Sequence, residues 1–222
     1  MKIAQVAPLH ESVPPKLYGG TERIVHYLTE ELVNACHEVA LFASADSATG
    51  ARLEAMVPKA LRLDERVVDT LPPHLAMFGK VAEAARNFDV IHFHTDYLQF
   101  PVFRRCPVPH LSTFHGRLDL TDLQPVFDTF RDFPMVSISD YQHRPVQHAN
   151  WVETLSHGLT EDLYNFRPEP GAYLAFRGRM SPEKRPDRAI EIAIRTGLPL
   201  KMAAKVDRAD REYFEQDIRP LT

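Results

Sequence analysis

The chain has 222 residues, 44% of them hydrophobic and 25% charged. It is longer than one typical α/β domain and shorter than two full ones of about 150–200 residues each. A net charge of −4 gives no general attraction for polyanions, so no nucleic-acid partner is expected. No apolar run approaches the roughly 20 residues that cross a bilayer. Cys36 and Cys106, the only cysteines, form no redox or metal pair. Together these features predict a cytoplasmic protein with at most peripheral membrane contact.

Short apolar runs alternate with helix-period segments. Residues 2–7 read as a strand and 21–35 as a helix, with Ile24, Val25, Leu28, Leu32 and Ala35 on one face. Residues 38–43 read as a strand and 59–63 as a weaker third strand. A helix over 74–86 precedes strands over 89–93 and 109–114. A helix over 120–130, a strand over 135–139, a helix over 140–147 and a strand over 151–155 complete the series. Residues 165–171, with two prolines and a glycine, read as a linker. Beyond it come a strand (172–176), a helix (185–195), a strand (199–204) and a helix (207–216). The expected fold class is α/β, a Rossmann-like, mostly parallel sheet with helices on both faces. Its predicted domain spans 1–164, and an incomplete second Rossmann-like domain spans 172–222. A lone βαβα unit cannot bury both faces of its sheet, so 172–222 should be loosely ordered, docked, or completed by self-association or a partner chain.

In such sheets ligands bind beyond the carboxyl ends of the strands, which directs attention to the loops there. Tyr18-Gly19-Gly20-Thr21-Glu22 runs from the first strand's loop into a helix; glycines at that turn let backbone N–H groups face a phosphate, while the plainer reading makes Thr21 an ordinary N-cap. His92, His94 and Asp96 share one side of an extended segment. With His115 they suggest a metal-dependent hydrolase using zinc, against the commoner role of such histidines as structural groups. His115, in Thr113-Phe114-His115-Gly116, ends a strand where a side chain reaches the crevice. In Gly178-Arg179-Met180-Ser181-Pro182-Glu183-Lys184, a tight turn carries two cations to a helix start, an anion site unless the loop is simply a solvated charged one.

Four segments in this order resemble the retaining family 4 glycosyltransferases of GT-B architecture: the Tyr18–Glu22 run, Thr113–Gly116, Ser156-His157-Gly158-Leu159 and Gly178–Lys184. The resemblance implies two Rossmann-like domains and transfer of a sugar, with retention, from a UDP- or GDP-linked donor to an acceptor the sequence does not identify. It implies donor-diphosphate binding by Arg179 and Lys184, approached by Gly19 and Gly20, and a catalytic role for His115 at the transferred sugar or acceptor. Thr21, Glu22, Asp96 and His157 fall in supporting or acceptor-side positions. No metal and no further cofactor is implied, because protein cations neutralise the departing phosphate. The family's second domain normally continues with a Glu-x7-Glu segment whose carboxylates meet the donor sugar and ribose; its place falls past Thr222, so full activity of these residues alone is not expected. The rival reading is a non-catalytic binding or assembly module derived from the same fold.

Overall fold

In the computed structural model, which describes residues 1–206 and 210–221, the chain divides into two units, Met1–Leu163 and Tyr164–Thr222. In the first, seven parallel strands form one sheet: β1 (Lys2–Val6), β2 (Glu38–Ser44), β3 (Arg52–Val57), β4 (Val90–Phe93), β5 (His110–Thr113), β6 (Met135–Ser137) and β7 (Trp151–Thr154). Their order is β3-β2-β1-β4-β5-β6-β7, with Gln5 registered on His92 across β1 and β4. The order reverses between β1 and β4, and right-handed crossovers on either side of such a reversal place their helices on opposite faces.

The helices follow that rule. Helix α1 (Gly20–Asn34) packs Val25 with Ala7, Leu41 and Ala43 on one face. Helices α2 (Leu71–Ala84), α3 (Phe100–Phe103) and α4 (Gln124–Thr129) cover the other, where Ala4, Val6, Phe42, Ile91, Phe93 and Met135 meet Phe78, Phe100, Phe103 and Phe127. The first face, beyond the reach of α1, opens as a cavity of about 750 Å³ over β4, β5 and β6. It runs between Ile24, Leu28 and Leu32 of α1 and the segment after β7.

Three sequence expectations change here. The third strand is Arg52–Val57, not 59–63, which instead holds a single tight helical turn at Leu61–Leu63. Its Leu-Glu-Ala-Met alternation is half-polar, as suits an edge strand, and is weak evidence by periodicity alone. The helix expected over 140–147 is reduced to one turn, Arg144–Val146, with Pro145 inside it. That over 120–130 shortens to a turn at Thr121–Leu123 followed by α4.

Helix α1 ends in a left-handed residue, as helices commonly do, but the residue is Cys36 (φ 61°) rather than glycine. The Cys36 N–H donates to Val33 and the His37 N–H to Leu32, the paired bonds of a Schellman cap. A β-carbon in this conformation is strained. Cys36→Gly should therefore stabilise the first unit by about 1 kcal/mol. Urea unfolding followed by the fluorescence of Trp151, the single tryptophan, would measure it.

The second unit pairs β8 (Leu174–Arg179) with β9 (Leu200–Lys205) in parallel, joined by α5 (Pro186–Thr196). Met180, Ile190 and Ile218 centre its small core, against Phe176, Leu200 and Met202. The strand expected over 172–176 lies two residues later and takes in Gly178 and Arg179, so these two residues are strand rather than turn. The last helix, expected over 207–216, appears as Arg211–Tyr213 widening into Phe214–Ile218; its predicted start at 207–209 lies outside the described residues.

Candidate active site at the switch point of the sheet

The loop after β1 is held from below by two side chains. His74 of α2 is 2% exposed; its Nε2 accepts the Leu9 N–H at 3.0 Å and its Nδ1 donates to the Thr70 carbonyl at 2.7 Å. Arg62 donates to Glu11 Oε1 at 3.0 Å and to the Tyr18 carbonyl at 3.3 Å. This loop delivers Gly19 as the N-cap of α1, with no side-chain cap, so Thr21 is not the cap. Gly19 is sterically required: an added Cβ would stand 2.8 Å from Glu22 Oε2 and 2.8 Å from Pro15 Cβ. At Gly20 nothing lies within 4 Å of an added Cβ. Glu22 is buried beneath this turn. Burial pushes its carboxyl up, with Glu11 adding to the rise and its own backbone N–H and Arg62 opposing it.

Across the reversal, β4 and β5 present a line of imidazoles. His94 Nε2 lies 2.8 Å from Gln5 Oε1, and His94 Nδ1 lies 2.9 Å from His115 Nε2. His115 Nδ1 lies 3.3 Å from His157 Nε2, with the two rings stacked at 20°. Back along the sheet, Gln5 Nε2 is 3.4 Å from His92 Nδ1, and His92 Nε2 is 2.8 Å from Thr113 Oγ1. Burial keeps these rings neutral. It lowers His92 to about 4 and His115 to about 3, and holds His94 well below the ordinary imidazole range. The loop carrying His115 is clamped by Gln142, whose Nε2 donates to the carbonyls of Phe114 and Gly116 at 3.1 and 2.7 Å. Gln5, His92, His94, Thr113, His115 and His157 all line the cavity.

The zinc reading of His92, His94 and Asp96 does not fit this geometry. The ring nitrogens of His92 are taken by Gln5 and Thr113 and those of His94 by Gln5 and His115, while Asp96 has a left-handed backbone at φ 54°. Among the described residues no group of three His, Cys, Asp or Glu side chains is placed to hold a metal ion. His110, at the start of β5, bonds the Val108 carbonyl through Nδ1.

In the second unit, Arg179 ends β8 and pairs with Glu183, with Asp210 at 3.9 Å. Ser181 precedes the turn Pro182–Lys184 without a side-chain capping bond, and Arg185, left-handed at φ 54°, leads into α5. Lys184 is exposed.

A family model described as Glycosyltransferase Family 4 matches residues 18–171, more than half of the chain. The chain belongs to glycosyltransferase family 4. Solved structures share its fold, all at low identity. One is AviGT4, a glycosyltransferase involved in avilamycin A biosynthesis, with a TM-score of 0.67 at 20% identity over 100% of this chain and 61% of that one. Sucrose-phosphate synthase from Thermosynechococcus elongatus gives 0.67 at 15% identity, over 100% of this chain and 68% of that one. HepE from Anabaena, in complex with UDP and glucose, gives 0.58 at 17% identity, over 100% and 66%. The chain thus spans 61% of the AviGT4 chain's length. No curated protein matches it. Among the described residues no helix is long and apolar enough to cross a membrane.

Sequence reasoning singled out Gly19, Gly20, His94 and His115 but missed Gln5, Arg62, His74 and Gln142, which hold them. Gln5 did carry a signal: a polar residue within Ile-Ala-Gln-Val, on a strand whose residues 3–6 are all buried, needs a partner. Gln142 and Arg62 act across loops, where no periodicity announces them.

Proposed function

We propose that this chain acts as part of a retaining glycosyltransferase that takes a sugar from a UDP- or GDP-linked donor. The observation that carries the reading is the placing of His115, held neutral at the carboxyl end of β5 and facing a cavity at the switch point, in a chain of this family. His115 would contact the transferred sugar or the acceptor hydroxyl. The uncapped amino end of α1, at Gly19 and Gly20, would bring backbone N–H groups to the diphosphate, with Thr21, Glu22, Asp96 and His157 in supporting roles. In the second unit Arg179 and Lys184 would neutralise charge on the departing diphosphate without a metal ion. For Arg179 this means exchanging Glu183 for phosphate. No step here requires a cofactor beyond the donor, and the acceptor class is left open.

Calorimetric titration of the metal-stripped chain with UDP, then GDP, tests this. Saturable binding is expected, weakened about 10- to 100-fold in Arg179→Ala, the span of a charge-assisted hydrogen bond. Gly20→Ala separates contact from folding. Open space surrounds that position and alanine suits a helix better than glycine, so stability should hold or rise by up to about 1 kcal/mol while nucleotide binding falls. Unweakened binding in both variants would remove the diphosphate from these residues.

A further inference from the structure

Gln5 sits on the interior strand β1 with 1% of its surface exposed, and its amide joins two imidazoles rather than two backbone groups. A neutral imidazole has one donor nitrogen and one acceptor nitrogen, so fixing one end of a chain of such rings fixes every ring after it. With the amide oriented as the structure places it, Gln5 Oε1 has only lone pairs to offer. His94 must then carry its proton on Nε2, leaving Nδ1 to accept. His115, 2.9 Å away, must donate from Nε2, which leaves its Nδ1 bare. His157 Nε2 supplies a proton to that nitrogen at 3.3 Å. In the other direction, Gln5 Nε2 donates to His92 Nδ1, so His92 donates from Nε2 to Thr113 Oγ1. All five contacts are satisfied with no ring asked to donate twice.

We propose that Gln5, acting through His94, is a positioning residue that fixes the proton of His115 on Nε2, so that His115 offers Nδ1 to a hydroxyl donor and not to a phosphate oxygen. Two lone pairs face one another if the ligand atom is a phosphate oxygen; a sugar or acceptor hydroxyl places a proton between them. His157 holds, in this structure, the position that such a hydroxyl takes. Burial reinforces the choice, since it disfavours the imidazolium that could donate from both nitrogens. The hydroxyl half of this inference rests on the glycosyltransferase reading; the tautomer half stands on the hydrogen-bond chain alone.

The test is a two-bond proton–nitrogen correlation spectrum of the histidine rings in the full, uniformly nitrogen-15-labelled chain near neutral pH, a measurement that needs no donor or acceptor. His92, His94, His115 and His157 are assigned through single His→Gln variants. His115 should show a protonated Nε2 and a bare Nδ1; a protonated Nδ1 in the wild-type chain overturns the proposal. In Gln5→Met the acceptor for His94 is gone, and His94 and His115 should both reverse; an unchanged His115 in this variant, folded by Trp151 fluorescence, means Gln5 does not set it. Gln5→Glu offers two acceptor oxygens. There His92 should switch to Nδ1–H while His94 and His115 stay as they are, a selective change that loss of packing would not produce. Inorganic phosphate should leave the His115 resonances in place; a saturable shift would show an anion site and overturn the hydroxyl preference. Failure of the UDP titration beside the expected tautomers would sink the donor reading and leave this inference intact.

Discussion

Between about pH 6.5 and pH 4 the Met1–Leu163 unit should lose stability steeply, because its buried histidines refuse protons that the unfolded chain accepts. His10 and His92 are lowered to about 4 and His115 to about 3, each mainly by burial, from an ordinary 6.5. Their folded values lie below their unfolded one, so the stability they confer is complete above about pH 6.5 and is lost as the pH falls toward the folded values. Each group that stays neutral while its unfolded counterpart charges costs on the order of 1.4 kcal/mol per pH unit, and three give about 4. Against a typical domain stability of about 5–15 kcal/mol, one to two and a half pH units should unfold the sheet if its stability lies in the lower half of that range. Glu22 works the other way. Its carboxyl is raised by burial, so its contribution is present at low pH and lost as the pH rises through the raised value. It is one group, and its window begins near 4.5, so the histidines dominate.

Urea midpoints at a series of pH values, read from Trp151, would display this slope. Trp151 lies on β7 and rests edge-on against Phe114 at 5.9 Å, so its signal reports the unit that holds the histidines. His115→Gln should flatten the slope by about 1.4 kcal/mol per pH unit. A stability that stays level from about pH 7 to about pH 5 would mean these rings are charged in the folded state, contrary to their burial.

What the sequence disclosed follows from what is local. The strands Lys2–Val6, Glu38–Ser44 and Val90–Phe93 are short apolar runs, and α1 and α5 carry apolar residues at helical spacing; each was legible because its burial is written in its own period. Their alternation led directly to a parallel sheet, and the loops after β1, β4 and β5 were flagged because chemistry collects at that edge. The edge strand Arg52–Val57 was not legible, since a half-exposed strand has no strong pattern. Nor was the structure of the imidazole chain. His92 and His94 were noticed as a same-side pair and read with zinc in mind, because alternation shows which side residues share but not what stands opposite. Gln5 stands there, 87 and 89 residues earlier in the chain than the two rings, and only the register of β1 on β4 brings it to both.

The floor beneath His115 supplies the other large effect. Phe100, at the start of α3, has none of its surface exposed. It stacks on Phe133 at 4.0 Å, and meets Phe130 at 5.6 Å and Phe114 at 6.1 Å edge to face. Phe114 is the residue before His115, and its carbonyl is one of the two that Gln142 holds. Phe100→Ala should cost about 3–5 kcal/mol, through lost transfer free energy and a cavity that three remaining rings cannot collapse to fill. Val102→Ala, on the same short helix but 44% exposed, should stay within about 0.5 kcal/mol. Phe100→Leu keeps most of the volume and should fall between them. If the alanine variant proves mild, the aromatic cluster is not what supports the β5 loop. If the loss is as large as expected, then holding one histidine at the mouth of the site draws on the packing of a whole face of the sheet, while the hydrogen bonds of Gln142 set only its final direction.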